Sequence, residues 1–473
     1  MVMSIYDTQS HHHSIPGIAE LCRVETDADK SSGAGLRLAR QTYDTEALQT
    51  VVAGKLDKSL DYIRAGFKQT SDARAARHLK RLQALVRHAY DTVPFYSRLY
   101  RSNGIEPGDF RSLEDFSSLP VVTKADLLRA EPQDLQSQLD LGEVFYSRTS
   151  GSSGSPLTVA YSADQYVISM CNYLWQLELA LDRPVNPNRW LYNLHHARWW
   201  LSSLSGKYRT FTLADLPEVP ELRRHLGIIR PQAVIALTSL LAAVAKSGLD
   251  LREFGIKVAT TNSEQSTRAE RLRLASALGV AVHDEYSSVE LEQTAFECRY
   301  GRYHVLDHSV FLEIVRGDAD GNGSIVGTNL HAKKMPFIRY DQGDLGAWAP
   351  SSPCPCGNAA PALDSVQGRR NASFSNSCGR LVPAASLLGV VDEFLADASS
   401  GVSQFRLHQT ATDRLTLYFS ETGDGTAAIE RFSMVQSHLE RLFGHRLSID
   451  FKRVDIHAAG TSSKRQLLVS DLS

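Results

Sequence analysis

From Asp72 onward, apolar residues recur every three or four positions. Leu79, Leu82, Leu85, Val86 and Ala89 fall on one helical face, with Arg and Lys on the other. This helix should end within Asp91-Thr92-Val93-Pro94-Phe95-Tyr96, because proline stops it and two aromatics can cover the core. Further along, short β-branched runs alternate with helical ones. Ala233 to Ala236 feeds a helix around Leu240 to Val244, and Val258 to Thr260 feeds another that Thr267 and Glu270 would open as a capping box. Val280 to Val282 is the next strand and ends at Asp284. Units this short predict a parallel sheet, whose ligands sit at the carboxyl ends of its strands. That rule places Thr260 to Glu264 and Asp284 to Glu290 on one rim.

From Tyr303 the pattern turns to strand and turn. Val305 to Val315 alternates, Asp320-Gly321-Asn322-Gly323 is a turn, and Phe337 to Tyr340 is a further strand. Beyond Gly368-Arg369-Arg370 come strands at Phe405 to His408, Leu415 to Phe419 and Leu447 to Phe451, with an amphipathic helix from Ala428 to Phe443. The expected fold class is α/β. A large multi-layer domain with parallel-type sheets and a β-rich subdomain spans 71–368, and a small mobile α+β domain spans 369–473. Residues 1–70 lack periodicity and carry His11-His12-His13, so they are expected to be a poorly structured extension.

The chain of 473 residues has ample length for more than one domain. A net charge of −2 gives no reason to expect nucleic acid or an anionic membrane as partner. No apolar run reaches spanning length and the N-terminus lacks a secretory pattern, so a cytoplasmic location is expected. The oligomeric state stays open, a homodimer included. Six cysteines are too few for a disulfide scaffold, so their clustering points to metal or chemistry.

The stretch from Tyr146 to Pro156 is rich in glycine and hydroxyls. It lies between the apolar Val144-Phe145 and a second extended run, Leu157 to Tyr161. Its central part, Thr149, Ser150, Gly151, Ser152, Ser153, Gly154 and Ser155, can wrap backbone N–H groups and five hydroxyls around phosphate oxygens. The same composition also suits a flexible linker. A Walker loop is excluded, because Ser155-Pro156 follows Gly154 where Lys-Ser/Thr would be needed.

Four further signals follow in order: Tyr286-Ser287-Ser288-Val289-Glu290, Arg339-Tyr340-Asp341-Gln342-Gly343-Asp344, Gly368-Arg369, and Lys464. Together they resemble the adenylate-forming superfamily of acyl-CoA synthetases and adenylation domains. The helix before Val93-Pro94-Phe95-Tyr96, the segment from Leu119-Pro120 to Lys124 and the Cys-Pro-Cys-Gly resemble its phenylacetate-CoA ligase branch. The resemblance implies ATP-dependent activation of a carboxylic acid to an acyl-adenylate, with CoA as the default acceptor. An amine or carrier protein as acceptor, another oxyacid as substrate, or a non-catalytic nucleotide-binding protein are the alternatives.

Under that resemblance, the loop from Thr149 to Ser155 holds the departing pyrophosphate, and Glu290 ligates Mg²⁺ through oxygen. Tyr286 lies against adenine, and Asp344 accepts the ribose hydroxyls. Lys464 brings a point charge to the α-phosphate. Ser263, Glu264, Asp284, Glu285, Ser287, Ser288 and Arg369 complete the expected nucleotide set. Two positions depart from the family pattern: Val289 replaces a threonine, and Arg370-Asn371-Ala372 replaces the aspartate pivot expected after Gly368-Arg369.

Cys354-Pro355-Cys356-Gly357 is a tight pair of thiols, and Cys298 with His304 lies upstream at strand-turn-strand spacing. Three sulfurs and one imidazole would make a closed structural Zn²⁺ site. For the acyl group, the dense aromatics and histidines Trp190, Tyr192, His195 and His196 could wall a flat pocket, with Tyr146 facing them. An aromatic acid is then the expected substrate.

Overall fold

The helix Ser71–Thr92 forms where the apolar spacing predicts, capped by the Thr70 side chain, which accepts from the Ala73 N–H. Pro94 ends it and opens a second helix, Pro94–Ser102, since a first-turn proline has no amide hydrogen to waste. Tyr96 on that helix is fully buried; its hydroxyl donates to the Pro336 carbonyl at 3.1 Å and accepts from the Ile338 N–H at 3.0 Å. The computed structural model describes residues 46–67, 69–149, 156–195, 207–213, 216–315, 317, 321–395, 402–421, 426–454 and 467–472. Within the segment expected to be loose, residues 46–66 instead form a helix that buries Val52, Leu56, Leu60 and Ile63. A weak helical moment hid this face from sequence, because its burial comes from packing on the distant helix Ala163–Leu181.

Strands in chain order are β1 (Val122–Thr123), β2 (Val144–Arg148), β3 (Thr158–Ser162), β4 (Leu191–Leu194), β5 (Thr210–Leu213), β6 (Ala233–Leu237), β7 (Val258–Asn262) and β8 (Ala281–Ser288). They continue as β9 (Glu292–Glu297), β10 (Tyr303–Val305), β11 (Val310–Val315), β12 (Gly323–Asn329), β13 (Tyr340–Trp348) and β14 (Ala362–Arg369). One large mixed sheet runs β11-β12-β13-β14-β10-β9-β8-β7-β6-β4-β5, with β1 added to β13, and β2 pairs β3 in a separate hairpin. The run from β5 to β8 is parallel, and β8 then turns antiparallel to β9. The parallel layer is thus as expected. Strand β13 begins at Tyr340, where the sequence reading ended a strand, because Arg339 adopts a left-handed φ of 47° that breaks extended structure.

Two apolar layers sandwich the parallel strands. Leu191, Ala233, Ile235 and Val258 pack with Tyr166, Met170 and Leu174 of the helix Ala163–Leu181. Tyr192, Val234, Ala236 and Ala259 point the other way, among Leu222, Leu226, Leu241 and Leu274 of the helices Val219–Ile229, Thr238–Lys246 and Arg268–Leu278. Alternation along each strand produces this division.

After two short strands, β15 (Phe374–Ser375) and β16 (Leu381–Val382), come β17 (Val402–Ala411), β18 (Arg414–Glu421), β19 (Ser448–Arg453) and β20 (Leu468–Ser470). The last four form their own sheet in the order β19-β18-β17-β20. With the helices Ala384–Leu395 and Thr426–Phe443 they bury a third apolar cluster around Leu387, Val391, Leu407, Leu417, Val435 and Leu439. Asp392 ties this unit to the large one by bonding both Thr267 and Arg273 at the start of the helix Arg268–Leu278.

Candidate functional site

Strand β8 is longer than its parallel neighbour. Residues Ala281 to Asp284 pair with β7, while Glu285 to Ser288 run on past its end and pair with β9 instead. The overhang puts Tyr286 to Glu290 at the carboxyl rim, as the parallel-sheet rule requires. Tyr286 is buried, and its phenol donates to Asp344 Oδ2 at 2.8 Å. Asp344 lies on β13, directed by Gly343, whose φ of 80° only glycine adopts freely. Arg369, at the end of β14, completes the group with its Nε 3.1 Å from Asp344 Oδ1. Burial pushes the Asp344 carboxyl above its usual range, and the guanidinium opposes that rise.

Glu290 is buried, and Tyr340 of β13 donates to its Oε1 at 3.0 Å. Tyr161, the residue before the end of β3, bonds the Val289 carbonyl and so holds the β2–β3 hairpin against the Glu290 segment. Tyr340, Gln342 and Tyr161 had no assigned role in the sequence reading. Their partners lie 50, 56 and 128 residues away, a separation that no local pattern reports.

Asp284 is held by Thr261 Oγ1 at 2.7 Å and Tyr303 Oη at 2.8 Å. Arg271, which forks onto Glu297 at 2.7 and 2.8 Å, stands 3.9 Å away. Burial pushes Asp284 up to about 6. The next residue, Glu285, points to the opposite face of the sheet, toward Gln176 and Tyr173, so it is not part of the set around Asp344. This corrects its assignment to the nucleotide, since neighbours on a strand face opposite ways.

Glu264 is buried beyond the end of β7. Its carboxylate accepts from the Ser239 N–H at 2.8 Å and hydroxyl at 3.0 Å, capping the helix Thr238–Lys246. Ser263 is exposed at a left-handed φ of 62°, and His195 Nε2 lies 3.4 Å from its hydroxyl. Ser288 Oγ accepts from the Leu291 N–H at 3.0 Å, and Ser287 sits beside Glu285. Thr149, half-buried, accepts the Leu157 N–H at 2.9 Å and closes the hairpin. Ser150, Gly151, Ser152, Ser153, Gly154, Ser155, His196 and Lys464 lie outside the described residues.

Among the described residues, Trp190 and Tyr192, expected in a pocket wall, lie in the core. Trp190 packs beneath Arg209, 4.8 Å from ring to guanidinium, and Tyr192 is fully buried, stacked on Phe211 with its hydroxyl 3.2 Å from His225 Nδ1. Both belong to the apolar layer on the far side of β4. Tyr146 is exposed. An aromatic-rich strand reads alike whether it lines a pocket or fills a core, and here the core took it.

The thiols gather as the spacing suggests. Donor atoms of Cys298, His304, Cys354 and Cys356 all lie within 4.8 Å of one another. Cys298 and Cys354 sulfurs are 3.7 Å apart, and Cys356 Sγ is 3.2 Å from His304 Nε2. Zinc–sulfur bonds of about 2.3 Å in a tetrahedron set sulfurs ~3.8 Å apart, so the cluster fits that ion. His304 Nδ1 lies 3.1 Å from the Ala360 carbonyl, which leaves Nε2 free to ligate. Burial pushes the Cys356 thiol up to about 12, and a divalent cation is what would favour thiolates there.

The parallel strands thus gather Tyr286, Asp344, Arg369 and Glu290 at one rim, and a small four-stranded unit follows. No family model matches the chain. Solved 2-hydroxyisobutyryl-CoA ligase in its postadenylation state has the same fold, with a TM-score of 0.70 at 22% identity over 85% of this chain and 90% of that one. Phenylacetate-coenzyme A ligase of Thermus thermophilus is 26% identical over 311 residues, 61% of this chain and 69% of the relative. That of Escherichia coli is 26% identical over 318 residues, 63% of this chain and 71% of the relative. The chain is thus similar in sequence to phenylacetate-CoA ligases and shares its fold with a 2-hydroxyisobutyryl-CoA ligase.

Proposed function

We propose that the chain activates a carboxylic acid with ATP and passes the acyl group to CoA. A carboxylate oxygen attacks the α-phosphorus, the bond to pyrophosphate breaks, and acyl-AMP forms. The CoA thiolate then attacks the acyl carbon and AMP leaves. Bringing two anions together needs positioning and charge neutralisation more than covalent help from the protein. The observation that carries this reading is the convergence of β8 and β13: Tyr286 on Asp344 at 2.8 Å and Tyr340 on Glu290 at 3.0 Å.

In this reading Asp344 accepts the ribose hydroxyls while Arg369 balances its charge, and Tyr286 orients the carboxylate. Glu290, kept in place by Tyr340, supplies oxygen to a magnesium ion, which would draw charge from the phosphates. Lys464 brings a cation to the α-phosphate, and the loop from Thr149 to Ser155 receives the pyrophosphate. Residues 71–368 and 369–473 act as separate domains, a division supported by the independent apolar cluster of the second. Cys298, His304, Cys354 and Cys356 would hold a structural zinc, which would tie together the strand ends around β10. We place the reaction in the cytoplasm, where ATP and CoA are available. Among the described residues no helix is long and apolar enough to cross a membrane.

ATP–pyrophosphate exchange across a panel of acids tests the first step. Exchange should depend on one class of acid and fall about 100-fold or more in Lys464→Ala. A protein that binds ATP but exchanges no label with any acid would sink the reading. Adding CoA to the competent acid should then release AMP and thioester together.

A further inference from the structure

The face of the parallel strands under the helix Ala163–Leu181 carries polar groups that the nucleotide chemistry does not use. Along the helix, Gln165, Ser169 and Asn172 bond Glu292, Gln293 and the His308-Ser309 pair, while one turn on Tyr173 and Gln176 lie beside Glu285 of β8. On the sheet face of Glu285, at the carboxyl ends of the strands, lie also Asn193 of β4 and Thr260 and Asn262 of β7. Asn193 is level with Ile235, and Ile235 is level with Thr260, so these side chains share one face.

Gln176 and Asn193 are 2% and 1% exposed, yet neither amide atom of either has a hydrogen-bond partner among the described residues. The Asn262 Oδ1 is buried in the same condition. Gln176 lies close to the Glu285 carboxylate without reaching hydrogen-bond geometry. Buried amides left open are rare in native folds and gain most from a ligand that completes them. Glu285 adjoins Tyr286 but faces the helix, so an acid lying there can extend its carboxylate toward the rim.

Resting on the adenylation reading, we infer that this face is the acyl subsite and selects an acid whose acyl chain bears a hydrogen-bond donor, a hydroxyl or an amino group. Glu285 accepts that donor, and the amides of Gln176 and Asn193 frame it. Burial pushes Glu285 up to about 7 although Ser287 bonds it, and a further donor on the ligand favours its charged form. An unsubstituted aryl or alkyl acid would bury these amides unpaired, and a site built for a polar group rejects such an analogue strongly.

The test is ATP–pyrophosphate exchange with matched acids, one aliphatic and one arylacetic series, each unsubstituted, hydroxyl-bearing or amino-bearing. The full chain should favour a donor-bearing member over its unsubstituted match at least tenfold in kcat/KM, and the better substituent identifies the class. Glu285→Gln should shrink that ratio at least fivefold with the KM for ATP unchanged, and Gln176→Leu should shift the preference toward the unsubstituted acid. Thermal melts check that each variant is folded; should Glu285→Gln fail, the wild-type ratios alone decide. Preference for unsubstituted acids, or an unchanged ratio in a folded Glu285→Gln, overturns the inference and leaves adenylation standing. Exchange with no acid overturns both.

Discussion

The Tyr286 hydroxyl donates to Asp344 Oδ2 at 2.8 Å across 58 residues of sequence, joining β8 and β13, which are not neighbours in the sheet. Gln342 Nε2 donates in turn to the Tyr286 hydroxyl at 2.9 Å, so the phenol is fixed from both sides. In the proposed ribose-binding role, Asp344 would need little reorganisation when nucleotide binds.

Asp344→Asn should test that placement. The variant keeps the shape but weakens the ion pair with Arg369 and the bond from Tyr286, costing about 1–3 kcal/mol of stability. The KM for ATP should rise roughly tenfold or more, since hydrogen bonds to a charged acceptor exceed about 1.5 kcal/mol. Exchange kinetics at varied ATP and a thermal melt measure both, and an unchanged KM would remove Asp344 from the nucleotide site.

A second prediction concerns pH. Asp284 ordinarily titrates near 3.8 and here is pushed up to about 6, first by burial. Below about 4 it is neutral in folded and unfolded chains alike, so its contribution is complete. Between about 4 and 6 the unfolded chain releases the proton first, and that contribution is lost as pH rises. Asp284→Asn lacks this slope. The stability of wild type relative to the variant should fall by up to about 3 kcal/mol from pH 4 to 7, read by denaturant melts. A constant difference would show that the carboxyl is not raised.

Metal content follows from the thiol cluster. Purified protein should hold close to one zinc per chain, and Cys354→Ser should lose it together with several degrees of melting temperature. Full stability of a preparation shown to be metal-free would refute the site.

The buried placement of Tyr192 makes a fourth prediction. Tyr192→Phe removes the contact with His225, lowering stability by about 1 kcal/mol without altering which acids are activated. A changed acid preference in a folded variant would return the residue to the substrate pocket.

Local sequence alone determined the helix Ser71–Thr92, the parallel strands β6 to β8 and the spacing of the four zinc-type donors, because periodicity, capping and loop length act between near neighbours. Order along the chain likewise carried Tyr286, Glu290, Asp344 and Arg369 as a family pattern. Only the tertiary structure decided which way each side chain faces. Glu285 and Tyr286 are adjacent yet lie on opposite sides of the sheet, Glu264 turned to cap a helix, and Trp190 and Tyr192 went into the core. The helix at residues 46–66 was likewise settled by a partner more than a hundred residues away. Strand overhang, register and the competition for burial set these outcomes, and all three depend on segments that meet only when the chain has folded.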